Sequence, residues 1–273
     1  MDCCVFVHYG QESELPPADS QYVQELAGLF SKLILVTNER KFQPKGLPPQ
    51  VEIRMVKNEG YDFGMFYKVV QDLDLKDLDR LVLANDSNVL LGDLGVLMKR
   101  GSELKSDFWG VLDSYERPWF STHRDNFHLQ SHFLVWEKGA LTLLQTFLRE
   151  SVSAAIWEEA DPKKIRRKII NDWEIGFSQF ALQHGLTPRA VFQSQPISAG
   201  SGHPLQTNFG MKYPRLLLEE GYPFLKKKYI LRPSVWKRFW SKRDRWEVLI
   251  RDFSTYPTAV SRIIEYFQNQ RKK

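Results

Sequence analysis

Short apolar runs alternate with amphipathic stretches through the first half of the chain. Residues 3–8 (CCVFVH) are continuously apolar up to a final histidine, the mark of a strand buried on both faces. Residues 21–30 carry Tyr22, Leu26, Leu29 and Phe30 at helical spacing. A second buried strand is predicted over 32–37, and a proline-rich loop over 44–49. An alternating strand follows over 51–56, then a helix over 63–73. Residues 81–84 form another apolar run, which stops at Asn85-Asp86-Ser87-Asn88. Strands are also predicted over 108–112, 131–136 and 190–192. Helices are predicted over 141–151, 161–170, 173–184, 215–220 and 223–230, with Gly185 placed as a C′ glycine. The polar, aromatic-rich stretch 113–130 is too long for a tight turn, and 195–204 reads as loop. This order predicts an α/β fold, a mostly parallel central sheet flanked by helices.

Ligands of such sheets bind at the carboxyl ends of the strands. Three polar clusters fall there: His8-Tyr9-Gly10, the run from Asn58 through Gly60 to Asp62, and Asn85 to Asn88. Any one alone reads as turn chemistry, because Asn, Asp and Gly favour turns. Their coincidence at neighbouring strand ends marks a site.

Composition adds three limits. The 273 residues suit one large α/β domain, or one with a smaller appendage. The two cysteines, Cys3 and Cys4, are adjacent inside the first apolar run, as expected of buried thiols in a reducing compartment. No apolar run approaches the ~20 residues of a membrane span, and none resembling a leader precedes the first strand, so a cytoplasmic chain is expected.

Charge divides the chain. Residues 226–273 hold 14 Lys and Arg against 4 Asp and Glu, whereas the rest holds 24 against 29. Within this tail, residues 234–253 set Trp236, Phe239, Trp240, Trp246, Leu249, Ile250 and Phe253 opposite Lys and Arg. That pattern fits a helix in an anionic membrane interface and equally a helix packed on its own domain. The predicted partition is therefore a domain over 1–233 and a basic, Trp-rich, amphipathic helical tail over 234–273. A nucleic-acid partner is not expected, because the basic residues concentrate outside the acidic-leaning α/β core.

The segment NEGYDFG (58–64) resembles a signature of rhamnan-synthesis-F proteins, which are polysaccharide-building glycosyltransferases. Five further blocks agree in the same order: LVLANDSN (81–88), SDFWGVLDS (106–114), HLQSHFLVW (128–136), WEIGFSQ (173–179) and LLLEEGYPFLKKKYI (216–230). The resemblance implies a GT-A-like fold and a nucleoside-diphosphate sugar donor, with rhamnose or a related deoxysugar favoured. It also implies growth of a bacterial surface polysaccharide from a lipid-linked acceptor, at the inner face of the plasma membrane. A non-catalytic sugar-nucleotide-binding scaffold is the alternative.

Glycosyl transfer must stabilise a departing diphosphate and deprotonate an acceptor hydroxyl. Enzymes of the GT-A type commonly meet the first need with Mg²⁺ or Mn²⁺ on a DXD motif after a strand. At the matching strand end here, Asn85-Asp86-Ser87-Asn88 has one carboxylate. Asp86 is the expected divalent-cation ligand, with Asn88 and His203 as helpers. The donor is expected against His8, Tyr9, Gly10, Asn58, Gly60, Asp62, Asn85 and Asp86. Acceptor contacts are expected from Trp109, Asp113, His128 and Gln130. For the general base, Glu174 and Asp172 are favoured, in the place where GT-A enzymes carry an acidic pair.

Overall fold

The computed structural model describes all residues except 11, 40, 151–154, 232–241 and 273. The chain opens with β1 (Asp2–His8), α1 (Pro17–Leu29), β2 (Lys32–Thr37), β3 (Val51–Met55) and α2 (Tyr61–Val70). There follow β4 (Arg80–Asn85), β5 (Asn88–Leu90), α3 (Leu94–Glu103), β6 (Phe108–Ser114), β7 (His128–Leu129), β8 (Phe133–Glu137) and α4 (Lys138–Glu150). Next come α5 (Ala155–Glu158), α6 (Pro162–Lys168), a π-helical segment at Ile169–Ile175, α7 (Gly176–Gln183), β9 (Arg189–Phe192) and α8 (Ser194–Ser201). The last elements are α9 (Phe209–Lys212), α10 (Pro214–Glu219), β10 (Phe224–Lys226), α11 (Lys227–Leu231), α12 (Trp246–Phe253) and α13 (Pro257–Gln270).

The central sheet runs β3-β2-β1-β4-β8-β6-β7, and β9 pairs with β6. The β3–β2–β1–β4 half is parallel. β8 is antiparallel to both β4 and β6, so the sheet is mixed while β4 and β6 point the same way. The carboxyl ends of β1, β4 and β6 therefore share one edge with the start of β8.

Strand alternation sorts the apolar side chains into two cores. Cys3, Val5 and Val7 pack under α2, α4 and α7, whereas Cys4 and Phe6 pack under α1 and α3. Both cysteines are free and buried, and burial pushes the Cys3 thiol up to about 11. A third core joins the small β5–β10 sheet to α12 and α13 through Leu225, Trp246, Leu249, Ile250, Ile263 and Phe267.

Two local expectations change. Residues 223–230 are not one helix: Phe224–Lys226 extends to pair antiparallel with Asn88–Leu90, and only Lys227–Leu231 turns helical. Residues 194–201 are helical rather than loop. In the basic tail, Trp246, Leu249 and Ile250 face the protein interior, and Trp236, Phe239 and Trp240 lie outside the described residues. No helix among the described residues is long and apolar enough to cross a membrane.

Candidate active site

The edge shared by β1, β4 and β6 holds two distinct groupings. The first is a closed knot of charge. His8 ends β1 fully buried, with Nδ1 3.1 Å from Asp86 Oδ2 and 3.4 Å from Asp19 Oδ2. Neither ring nitrogen makes an aligned hydrogen bond among the described residues, so these contacts are ionic. Asp19, in the first turn of α1, is wholly buried and takes Lys227 Nζ at 2.7 and 2.8 Å on its two oxygens. Lys227 Nζ also lies 3.8 Å from Asp86 Oδ2. Burial works against every one of these charges, and the partners outweigh it: His8 is pushed up to about 9, Lys227 is raised and Asp19 is lowered. Asp86 accepts from Tyr9 N at 3.2 Å, which fastens the loop after β1. Gly10 belongs to this packing, because a Cβ there would strike the His8 ring.

The donor atoms of His8, Asp19 and Asp86 all lie within 4.8 Å of one another, as a cation site requires. The set nevertheless does not fit Mg²⁺ or Mn²⁺. Both oxygens of Asp19 are taken by the Lys227 ammonium, which also lies 3.8 Å from Asp86 Oδ2, so a metal would have to displace Lys227. His203 is not in the group; its ring lies flat on Tyr213 at 3.7 Å between centroids. Asn88 points elsewhere, as follows.

The second grouping is an open cavity of about 540 Å³ beside the knot. Asp62 and Glu174 supply carboxylates to its wall, as Lys226, Lys228 and Arg166 supply cations, and Ser87, Asn88, His128 and Gln130 complete its polar lining. Asp62 is set by the NEGYDFG turn. Gly60 takes a left-handed φ of 81° to start α2, and a Cβ on Gly64 would collide with the Glu59 carbonyl oxygen. The two glycines thus fold the turn tightly onto its helix, and Gly60 and Asn58 border a neighbouring cavity of about 350 Å³ with Tyr9 and Trp157. Burial, then the nearby Asp86 and Glu174 charges, push Asp62 up to about 7, with Lys227 pulling the other way.

Glu174 comes from the π-helical segment, a form of turn that recurs at functional sites. Its Oε1 accepts from Ser131 N at 3.1 Å and Ser131 Oγ at 2.8 Å, which aims the carboxylate into the cavity. Asp172 is two residues away, on the other side of the helix. It binds Asn171 Nδ2 at 2.6 Å and does not line the cavity. Lys226 Nζ donates to Gln130 Oε1 at 2.8 Å and reaches Asn208 Oδ1 at 3.4 Å, and burial lowers its pKa. Asn88 pairs with Lys226 across β5–β10. Its Oδ1 is buried without a hydrogen-bond partner among the described residues.

The remaining expected residues are placed differently. Trp109 is fully buried against Gly101 and donates Nε1 to Glu137 at 3.1 Å, so its ring is core and cannot meet an acceptor. Asp113 is also buried; it accepts from Ser194 N at 2.5 Å and so anchors the start of α8 to β6. Asn85 closes an Asx turn onto Ser87 N at 3.1 Å and donates to Ser131 O at 3.2 Å, which leaves it a structural residue of the strand end. His128 and Gln130 do line the cavity.

The family model for rhamnan synthesis protein F matches residues 49–251. The chain belongs to the rhamnan synthesis protein F family. The matched span holds Asp62, Asp86, Glu174, Lys226 and Lys227, and His8 and Asp19 precede it. No curated protein matches the chain. Among solved structures it is similar to a putative glucose-1-phosphate thymidylyltransferase from Bacillus anthracis, solved in complex with a sucrose. That likeness has 10% identity and a TM-score of 0.44, over 71% of this chain and 87% of that one. It is also similar to the bifunctional IspDF from Campylobacter jejuni, with 13% identity and a TM-score of 0.37 over 70% and 48%.

Asp19, Lys226 and Lys227 are absent from the sequence-based site. Asp19 reads as an ordinary first-turn acid of α1, and LKKKY reads as a basic helix. The one available signal was the strand-like Pro-Phe-Leu preceding the lysines.

Proposed function

We propose that this member of the family is a glycosyltransferase. It moves a sugar, rhamnose or a related deoxysugar, from a nucleoside-diphosphate donor to a growing surface polysaccharide. The observation that carries the reading is the cavity at the strand ends, whose wall combines oriented carboxylates with cations. The donor's C1–O bond to phosphate breaks with its electron pair leaving on the diphosphate. The acceptor oxygen bonds to C1, and the acceptor proton passes to the Glu174 carboxylate, which Ser131 holds in position. Tyr9, Asn58 and Gly60 frame the neighbouring cavity for the nucleoside. The fold is read as GT-A-like, and the acceptor as lipid-linked glycan at a membrane surface that the basic tail meets.

One observation favours the scaffold alternative: the His8–Asp19–Asp86–Lys227 knot stands where a metal motif is expected and is internally neutralised. A panel of nucleoside-diphosphate sugars decides between the two. Release of nucleoside diphosphate by wild type, lost in Glu174→Gln, is expected of the enzyme. Binding of a donor without turnover supports the scaffold. Neither turnover nor binding with any donor removes both.

A further inference from the structure

Three neighbouring lysines, Lys226, Lys227 and Lys228, have different surroundings. Lys227 is spent on Asp19 and Asp86 in the knot. Lys226 ends β10 and turns the other way, toward the cavity. Its ammonium meets only the neutral oxygens of Gln130 and Asn208 and forms no ion pair among the described residues. Lys228 and Arg166 face the same cavity, also without an ion pair among the described residues. A partly buried cation held by neutral acceptors is costly to leave without a counter-charge. Beside it, Asn88 lines the same wall. The wall thus offers cations without an ion pair among the described residues, as the phosphates of an activated sugar would require.

We propose that Lys226, supported by Lys228 and Arg166, holds the diphosphate of the donor, and that transfer proceeds without a divalent cation. Lysine is a point-charge binder of phosphate. Here it neutralises the charge that develops on the leaving diphosphate. The strand-end knot keeps the neighbouring backbone in place and takes no part in holding phosphate. Glu174 and Glu116 share the cavity and act on Lys226 without forming an ion pair with it, Glu116 through the Asn208 amide that both it and Lys226 bind; Asp62 completes the acidic lining. This inference rests on the glycosyltransferase reading and specifies its donor site.

The test is calorimetric binding of inorganic pyrophosphate, UDP, dTDP and GDP, first with EDTA and then with Mn²⁺. Wild type, Lys226→Gln, Lys226→Arg and the double variant Arg166→Gln/Lys228→Gln are compared, each after a circular-dichroism melt. Wild type is expected to bind pyrophosphate and at least one nucleoside diphosphate with affinities equal within about twofold in EDTA and Mn²⁺. Lys226→Gln is expected to weaken that binding roughly tenfold or more, and Lys226→Arg to restore most of it. Binding that appears only with Mn²⁺, or Lys226→Gln binding as tightly as wild type, overturns the proposal and leaves the glycosyltransferase reading standing. If Lys226→Gln does not fold, the exposed double variant decides, and unchanged affinity there overturns the proposal. No binding of any of the four probes to wild type under either condition overturns both readings.

Discussion

Lys227 and Lys226 are adjacent in sequence and divide two chemically opposite regions. On one side, Lys227, His8, Asp19 and Asp86 saturate one another in a buried group with equal numbers of positive and negative charges. On the other, Lys226, Asp62, Glu174 and Asn88 line open space, and the Lys226 ammonium has no ion pair among the described residues. A matched buried charge contributes to holding the fold. An unmatched one in a cavity contributes to binding whatever completes it. The strand end that looked like a metal motif is of the first kind, and the wall proposed to bind the donor lies beside it.

The comparison breaks most directly at its two lysines. Lys227→Met leaves Asp19 buried with only His8, and is expected to lower the unfolding free energy by about 3–5 kcal/mol. Lys226→Met removes a cation with neutral partners, and is expected to stay within about 1 kcal/mol of wild type. Denaturant unfolding measures both, and equal losses would erase the distinction. Next in size, Glu174→Gln keeps the Ser131 hydrogen bonds but cannot take a proton. Sugar transfer is expected to fall by roughly 10²–10⁴-fold with donor binding retained. Gly64→Ala forces a methyl group against the Glu59 carbonyl and shifts the turn that presents Asp62. A loss of about 1–3 kcal/mol is expected in the same unfolding experiment.

A pH dependence tests the same division without a large change in structure. Asp62 titrates at about 7 in the folded chain against an ordinary 3.8, so the folded state keeps a proton that the unfolded state releases between those values. Its ionisation therefore opposes folding, and stability declines as pH climbs through that window. His8 has the raised value of a paired base, about 9 against 6.5. Its contribution is complete below 6.5 and is lost as pH rises toward 9. Asp62→Asn is expected to flatten the decline between pH 4 and 7, and to leave the decline between 6.5 and 9 in place. Melting temperatures across pH check this; an unchanged slope in the acidic window would show that Asp62 keeps an ordinary carboxyl.

The sheet was legible because buried strands and amphipathic helices carry different periods. The apolar runs at 3–8, 32–37 and 81–84 became β1, β2 and β4, and the three polar clusters do fall near one another. Glu174 and Asp172 were singled out together as the acidic pair that GT-A enzymes carry, and of the two only Glu174 lines the cavity. The antiparallel insertion of β8 was not, because local pattern carries no strand order. The helix expected at 223–230 failed at Phe224–Lys226, where pairing with β5 overrides local preference. Asp19 escaped notice because a first-turn acid is common in helices, and its partner Lys227 lies 208 residues away. Trp109 and Asp113 misled in the reverse sense: polar or aromatic residues on a strand looked available, while the fold had buried both.

The most direct test of the account is a crystal structure with a nucleoside-diphosphate sugar and Mn²⁺ both present. The expected result is a diphosphate against Lys226, the sugar between Asp62 and Glu174, and Lys227 still on Asp19 and Asp86. A nucleotide bound away from this cavity would contradict the site. A Mn²⁺ ion on Asp86 bridging the phosphates, with Lys227 displaced, would contradict the division between knot and cavity.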